Sequence, residues 1–218
     1  DWYDRLGDQG ILNVVATDNN SGINIDTGGD MPASCPSDYM IAVTNSNIDE
    51  QREGSYGPQN VDLAAPGSDI FTTNIEGSYR FFGGTSAACP TVSGTVALLH
   101  SLPCTDFASL VDENPAESVL IMKDAILNGV DKLAKLTNET VSGGRLNAFN
   151  SAVQLHGFCV ANDTERSDNA YARNYLDNPD LLRVYQMDGN KYGLDFGTED
   201  FESLDIAIYD VLGRLMLS

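Results

Sequence analysis

The chain has 218 residues, of which 42% are hydrophobic, and this is enough for one large or two modest domains with a core. Its 12 basic and 32 acidic residues give a net charge of −20, which argues against nucleic acid binding, since phosphate contacts need clustered Lys and Arg. No apolar run approaches the roughly 18 residues of a transmembrane helix, and no signal peptide opens the chain. The spread of acidic residues is typical of a soluble, often secreted protein, and some of them could bind a structural calcium ion.

The first apolar stretch, residues 9–16, predicts a short buried strand. Its β-branched residues do not alternate with polar ones, which suits a parallel strand covered on both faces. The polar turn Thr17-Asp18-Asn19-Asn20-Ser21-Gly22 follows it. After a loop at 24–34, residues 39–44 predict a second core strand.

A hairpin is predicted further along the chain. Residues 69–73 and 78–82 alternate between apolar and polar side chains, the pattern of two antiparallel strands. We expect Phe81 and Phe82 to serve packing rather than recognition.

The stretch that follows carries the clearest chemical signal, Gly83-Gly84-Thr85-Ser86-Ala87-Ala88-Cys89-Pro90-Thr91-Val92-Ser93-Gly94. The two glycines predict a tight turn into a helix at Ser86, and Pro90 is tolerated because N–H groups of a first helical turn have no intrahelical partner. Apolar residues at helical spacing then predict one buried face, formed by Ala88, Val92, Val96 and Leu99.

A serine at such a turn has an exposed hydroxyl, free backbone donors beside it and the positive end of the helix dipole behind it. Those are the needs of a nucleophile whose attack creates an oxyanion. The alternative is an N-cap serine on a buried helix, since serine is a preferred cap. Local chemistry alone leaves both interpretations open.

Spaced positions of this stretch, Gly84-Thr85-Ser86-x-Ala88-x-Pro90-x-Val92-x-Gly94, resemble the nucleophile motif of the subtilisin-like serine proteases, or subtilases. Residues 61–67, with the sequence VDLAAPG, resemble a second subtilase signature. The resemblance covers residues 1–157. It implies an α/β domain with a subtilisin-like parallel sheet flanked by helices, incomplete at its N-terminus, and a catalytic triad in the chain order Asp, His, Ser.

The same resemblance implies an oxyanion donor in the turn after the first strand. Subtilases end this strand in an Ala/Gly-Asn-x-Gly turn, and the asparagine of that turn maps to Asn20. Its fixed, neutral amide would stabilise charge that develops only in the transition state. Asn19 is a second candidate by residue type, although the spacing to Gly22 favours Asn20.

Substrate-binding residues are also implied. Gly84 precedes the serine in the motif and is expected to contact the substrate. The sequence Pro-Ala-Ser at 32–34 resembles the border of the family's primary specificity pocket, and Asp30 comes just before it. An acid there, or Asp18 in its place, would select a basic side chain; the alternative is a solvated loop aspartate.

Two more helices and a disulfide are predicted after the Ser86 helix. Residues 117–128 show helical spacing with Gly129 as a stop, and a last helix follows the sequence SGGRLN at 142–147 and ends near Gly157. The four cysteines show no CxxC spacing, which argues against zinc. Cys104 and Cys159 could form a disulfide in an oxidising compartment, whereas Cys89 is expected to be a buried thiol.

The end of the chain changes pattern. Residues 158–177 are polar and are assigned to a linker. Strands with alternating patterns are predicted at 181–186, 191–196 and 204–209, and the sequence IYDVLGR at 208–214 resembles the C-terminal sorting domain of proteins exported by type IX secretion. We therefore expect residues 178–218 to form a small antiparallel β-sandwich module, incomplete at its C-terminus; any other β-sandwich is the alternative.

The triad is incomplete in this sequence. The only histidines, His100 and His156, both follow Ser86, whereas the family's catalytic histidine precedes the serine. We expect the chain to begin within the domain at Asp1 and to be inactive alone, because a serine without a base is a poor nucleophile.

The function expected for the protein is that of a secreted or cell-surface bacterial serine endopeptidase that hydrolyses peptides or proteins. It would need no cofactor or catalytic metal, and the secretion machinery would act on the C-terminal module. Two alternatives remain open: a catalytically dead pseudoprotease that binds peptides, and a cell-surface adhesion protein that works through its β module.

Overall fold

The computed structural model describes residues 2–162 and, further along, four strands: β8 (Arg183–Gln186), β9 (Tyr192–Asp195), β10 (Ile208–Tyr209) and β11 (Leu215–Leu217). The chain divides into two compact units, Asp1–Thr164 and Glu165–Ser218.

A five-stranded sheet organises the first unit, in the order β1-β2-β3-β7-β6. Strands β1, β2, β3 and β7 run parallel, and β6 pairs with β7 in the antiparallel direction. Every residue of β2 is buried, and its apolar first half, Met40 to Val43, suits a central parallel strand covered on both faces. The strands are β1 (Asn13–Ala16), β2 (Met40–Ser46), β3 (Leu63–Pro66), β6 (Asp131–Lys132) and β7 (Gly144–Arg145).

Helices and loops cover both faces of this sheet. Successive β2 residues belong to different clusters, since Ile41 and Val43 pack with the long helices and Ala42 packs with Ile25, the first residue of a short helix, and the loop residue Val61. The α/β class with a parallel sheet flanked by helices is therefore confirmed. The helices are α1 (Trp2–Gly7), α2 (Ile25–Gly28), α3 (Thr85–His100), α4 (Thr105–Glu113), α5 (Pro115–Asn128) and α6 (Ala148–Asn162).

The long helices form where the sequence predicts them. In α3, Ala88, Val92 and Leu99 are fully buried and Val96 packs at their edge. Asn114 caps α5 by accepting from the N–H of Glu117, and Pro115 occupies its first turn, where a missing N–H costs nothing.

Helix α6 is longer than predicted. It continues past Gly157 to Asn162, so residues 158–162, which were assigned to the linker, are helical. The reason is tertiary: Phe158 packs edge-on against Phe107 of α4, and Cys159 is bonded to Cys104, the N-cap of α4. The disulfide considered from the sequence is thus present, while Cys35 and Cys89 are free and partly buried.

The predicted hairpin is present as β4 (Ile70–Thr73) and β5 (Tyr79–Phe82), joined through a short 3-10 helix at Ile75–Gly77. The expectation that its phenylalanines are packed is wrong, because Phe81 is 67% and Phe82 38% exposed. The strand register explains why Phe81 is exposed. Phe71 pairs with Phe81, so both rings lie on the outer face, 5.3 Å apart between centroids.

In the second unit, β8 pairs with β9 and β10 with β11, both antiparallel, in agreement with the predicted direction of pairing. The remainder of the predicted linker and the closure of a β-sandwich lie outside the described residues. In the part of the chain that is described, no helix combines the length and apolar character needed to cross a bilayer.

Candidate active site

Gly84 forms the turn that places Ser86. Its φ of 88° and ψ of −175° are open to glycine, and a Cβ added there would lie 2.5 Å from the Oδ1 of Asn19. The N–H of Gly84 donates to the carbonyl of Gly67 at 2.7 Å, which closes the base of the hairpin. Ser86 then sits exposed in the first turn of α3, between the buried residues Thr85 and Ala87.

The backbone N–H groups at the N-terminus of α3 differ in whether they have a hydrogen-bond acceptor. Ala87 and Ala88 both donate to the carbonyl of Gly84, at 2.9 and 3.2 Å. The N–H of Thr85 donates to the side chain of Asn19 at 2.9 Å. Among the described residues the N–H of Ser86 has no acceptor, so a free donor lies beside its exposed hydroxyl. A helix N-terminus with such a donor favours an anion.

The turn after β1 brings Asn19, not Asn20, to Thr85, the residue before the serine. The Oδ1 of Asn19 accepts from both the N–H and the Oγ1 of Thr85, at 2.9 and 3.1 Å. Asn20 uses its Oδ1 locally, accepting from the N–H of Gly22 at 3.0 Å. This Asx turn, which the sequence spacing does not distinguish from a catalytic placement, holds the Asn20 side chain within its own loop.

Asp30 lies beside the same turn. Its Oδ2 accepts from the N–H of Asp18 at 2.7 Å, and its own N–H donates to the Oγ of Ser34 at 2.9 Å. Asp18 in turn accepts from the N–H of Asn20 at 2.6 Å. Asp30 is half-buried and Asp18 exposed. The structure therefore brings together Ser86, Gly84, Asn19 and Asp30, with Asp18 between the last two.

This arrangement agrees with the comparisons. The model of the Subtilase family matches residues 1–146, about two thirds of the chain. The chain belongs to the subtilase family.

Known proteins similar to this subtilase include thermitase of Thermoactinomyces vulgaris, 33% identical over 141 residues, which are 65% of this chain and 44% of thermitase. An extracellular protease of Xanthomonas campestris is 34% identical over 104 residues, 44% of this chain and 17% of that protein. The A-subunit of an E. coli AB5 toxin shares the fold, with a TM-score of 0.54 at 22% identity over 71% of this chain and 54% of its own. The subtilase chain spans less than half the length of the curated relatives it matches.

A polar cluster that sequence reasoning missed lies beside the hairpin base of the subtilase. Glu53 accepts hydrogen bonds from Ser68 and Asn47, and these lower the pKa of its carboxyl. Asn45 donates to Ser68 at 3.2 Å. Ser68 follows Gly67, whose carbonyl holds Gly84, so the cluster supports the turn into α3.

The subtilase signature residue Asp62 is paired with a lysine. Its Oδ1 lies 3.6 Å from the Nζ of Lys123, and its Oδ2 accepts from the N–H of Ala42 at 2.7 Å. Burial raises the pKa of Asp62, an effect that Lys123 opposes. Lys123 also donates to the carbonyl of Met40 at 2.7 Å.

The candidates considered from the sequence also include a metal site and the two histidines, His100 and His156. Among the described residues, no three His, Cys, Asp or Glu side chains are grouped to hold a metal ion. His100 ends α3, 14 residues after Ser86 and therefore about 21 Å away along the helix. His156 is on α6, and no hydrogen bond joins either histidine to Ser86 in the described part of the subtilase.

Proposed function

We propose that the protein is a serine endopeptidase in which Ser86 attacks the carbonyl carbon of a peptide bond. One observation carries the proposal: an exposed hydroxyl beside its own unpaired N–H, at the start of a helix and next to the turn that holds Asn19. Attack forms a tetrahedral intermediate whose oxygen carries negative charge, and donors fixed in advance stabilise that charge most strongly.

The second oxyanion donor in this proposal is Asn19. Its Oδ1 is held by Thr85, which fixes the plane of the amide, and no described residue accepts from its Nδ2. The Nδ2 group is thus available to the oxyanion. The Oδ1 of Asn20, the residue favoured by spacing, is bonded within its own loop to Gly22 and not to the residue before Ser86.

The general base and the acid that orients it are proposed to come from residues preceding Asp1 in the full-length protein. The base removes the proton of the Ser86 hydroxyl and passes it to the leaving amine. The described residues supply the nucleophile and both oxyanion donors. The 218-residue chain by itself is then expected to be inactive.

A fluorophosphonate probe tests the nucleophile. The full-length protein should be labelled at Ser86, and Ser86→Ala should abolish both labelling and peptide hydrolysis. Ser93→Ala is the matched control, because Ser93 is an exposed serine on the same helix. Labelling at another serine, or labelling that survives Ser86→Ala, would overturn the proposal.

A peptide-binding pseudoprotease is the second candidate, because the turns at Gly84 and Asn19 would be the same whether or not a base reaches Ser86. It predicts a full-length protein that binds peptides but never reacts with the probe. The same labelling experiment therefore separates the two functions.

We propose that Asp30 selects a basic residue before the scissile bond. It is half-buried beside the Asn19 turn, and a substrate Lys or Arg would make a charge-assisted contact with it. Asp30→Asn retains an oxygen for the N–H of Asp18 but loses the charge, so preference for Lys and Arg over apolar residues should fall by roughly 5- to 150-fold in kcat/KM. Peptide-library profiles should show no change for Asp49→Asn, a loop control; a preference for apolar residues unaffected by Asp30→Asn would contradict the role.

We also propose that the protein is secreted and that its C-terminal module directs its export. Support comes from the extracellular relative and from the predicted strands of the second unit, whose resemblance to a type IX sorting domain rests on sequence alone. Deleting residues 178–218 should retain the protein inside the cell, and undiminished export would refute the assignment.

A further inference from the structure

We propose that Arg52 is a positioning residue that fixes the Asn19 turn for catalysis. The inference rests on the proposed function of Ser86 and Asn19. Arg52 lies 33 residues from Asn19 along the chain, in the loop after β2, and no sequence motif marks it.

The guanidinium of Arg52 contacts three separate parts of the chain. Its Nη1 donates to the carbonyl of Ser21 at 3.0 Å and also to the carbonyl of Gly54. Its Nε and Nη2 donate to the two carboxylate oxygens of Glu139, at 2.7 and 3.2 Å. The Arg52 side chain is only 10% exposed, whereas Glu139 is 32% exposed and the bond to Ser21 lies at the surface.

The planar fork of an arginine gives these contacts a fixed direction. A bidentate pair with a carboxylate sets the orientation of the whole guanidinium. Glu139 is itself anchored, since its carbonyl accepts from the N–H of Gly57 at 2.9 Å. The ring of Tyr56 lies under the guanidinium, 4.9 Å from its carbon to the ring centroid, and supports it from one side.

Arg52 completes a set of anchors on the turn that carries Asn19. The N–H of Ser55 donates to the carbonyl of Asp18 at 2.8 Å, just before Asn19. Arg52 holds the carbonyl of Ser21, two residues after Asn19. Asn19 is therefore bracketed by contacts to the 52–56 segment. Beyond Asn19 these are the Arg52 side chain at Ser21 and, further along, the N–H of Tyr56, which donates to the carbonyl of Ile23 at 3.0 Å.

The same segment also packs against the residue before the nucleophile. A Cβ added to Gly54 would lie 2.5 Å from the Cγ2 of Thr85, so the backbone of Gly54 packs closely against the Thr85 side chain. Because Arg52 also binds the carbonyl of Gly54, it ties the Asn19 turn and the Ser86 turn to one frame. Loosening this frame would displace the Asn19 amide from the oxyanion.

Such a displacement has a defined kinetic signature. The amide acts on charge that exists only in the transition state, so its misplacement lowers kcat and leaves KM nearly unchanged. A shift of about 1 Å can cost up to roughly 100-fold in rate. If Arg52 served stability alone, replacing it would lower the free energy of unfolding without lowering kcat selectively over KM.

The test uses the full-length protein and two variants, Arg52→Lys, which keeps the charge but loses the fork, and Glu139→Gln, which weakens the pair that orients it. Both should lower kcat, Arg52→Lys by roughly 10- to 100-fold, with KM changed by less than about twofold. Arg145→Lys is the matched control, because Arg145 also pairs with two carboxylates, Glu50 and Asp131, away from the turn.

A double-mutant cycle identifies the route of the effect. In an Asn19→Ala background, Arg52→Lys should have little further effect on kcat, because the amide it positions is gone. Equal losses in both backgrounds, or unchanged kcat in folded Arg52→Lys and Glu139→Gln proteins, would overturn the proposal. Failure of the proposed function is distinguishable, since wild-type protein would then not be labelled at Ser86.

Discussion

Thr85 joins the two turns of the candidate site at the scale of single residues. It is buried, and its N–H and hydroxyl both donate to the Oδ1 of Asn19. The carbonyl of Thr17, just after β1, is a second acceptor within reach of that hydroxyl, so its single proton is shared between the two. The residue before the nucleophile is thereby bonded to the residue proposed to stabilise the oxyanion, so the two act as one rigid group.

Replacing each asparagine separately tests this arrangement. Asn19→Ala should lower kcat by about 100- to 1,000-fold with little change in KM, the loss typical of removing one oxyanion donor. Asn20→Ala, the matched control, removes a local turn and should cost far less. Steady-state kinetics on the full-length protein decide between them, and a larger loss from Asn20→Ala would return the role to the residue favoured by spacing.

The contrast shows what sequence can reveal about a site. Ser86 was predicted because the glycine turn, the helix start and the tolerated proline lie within a few residues and together form a short motif that resembles the nucleophile motif of the subtilases. The choice between Asn19 and Asn20 depends on a hydrogen bond that spans 66 residues, which spacing cannot detect. The role of Arg52 is harder still to predict from sequence, since its contact to Glu139 spans 87 residues and follows no sequence pattern.

At the scale of elements, a part-buried ion pair links α5 to the sheet. Lys123 of α5 reaches Asp62, next to β3, and the carbonyl of Met40 on β2. Long buried helices and strands were predictable because their apolar residues recur at regular spacing within each segment of the sequence. The length of α6 was not, because its last turns are held by Phe107 and Cys104, which lie on another helix.

The pair gives stability a pH dependence of known sign. The pKa of Asp62 is raised by burial from 3.8, so the folded state holds this proton more tightly than the unfolded chain. The Asp62 contribution to the free energy of unfolding therefore falls as pH rises from 3.8 through the folded-state pKa. Relative to Asp62→Asn, the wild type should lose stability over that range in urea titrations.

Glu53 provides a control of opposite sign. Hydrogen bonds from Ser68 and Asn47 lower the pKa of its carboxyl below 4.5, so its contribution is present above 4.5 and is lost as pH falls through the folded-state pKa. Relative to Glu53→Gln, the wild type should gain stability as pH rises. Parallel trends for the two variants would contradict the assigned causes.

At the scale of the whole molecule, one disulfide closes a loop of 55 residues around the helical side of the first unit. Chain-entropy arguments put the stabilisation from a loop of that length at about 4 kcal/mol. Cys104→Ser combined with Cys159→Ser should lower the free energy of unfolding by about 2–5 kcal/mol under oxidising conditions. The serine at 104 keeps an acceptor for the cap of α4.

Denaturant titration with and without a reductant checks this figure. Cys35→Ser serves as the control, because Cys35 is a free thiol and its loss removes no cross-link. The double variant should also become insensitive to the reductant. Equal stability of the double variant and the wild type would show that the bridge adds nothing.

The position of that bridge also determines how the first unit responds to mechanical load. A pull on the chain beyond Asn162 acts on the C-terminal end of α6. Without a cross-link, tension would peel this helix away from α5 turn by turn, breaking few contacts at a time. The bond at Cys159 passes the force to Cys104, at the start of α4, so only residues 160–162 of the helix can unwind before the load is carried by α4 as well.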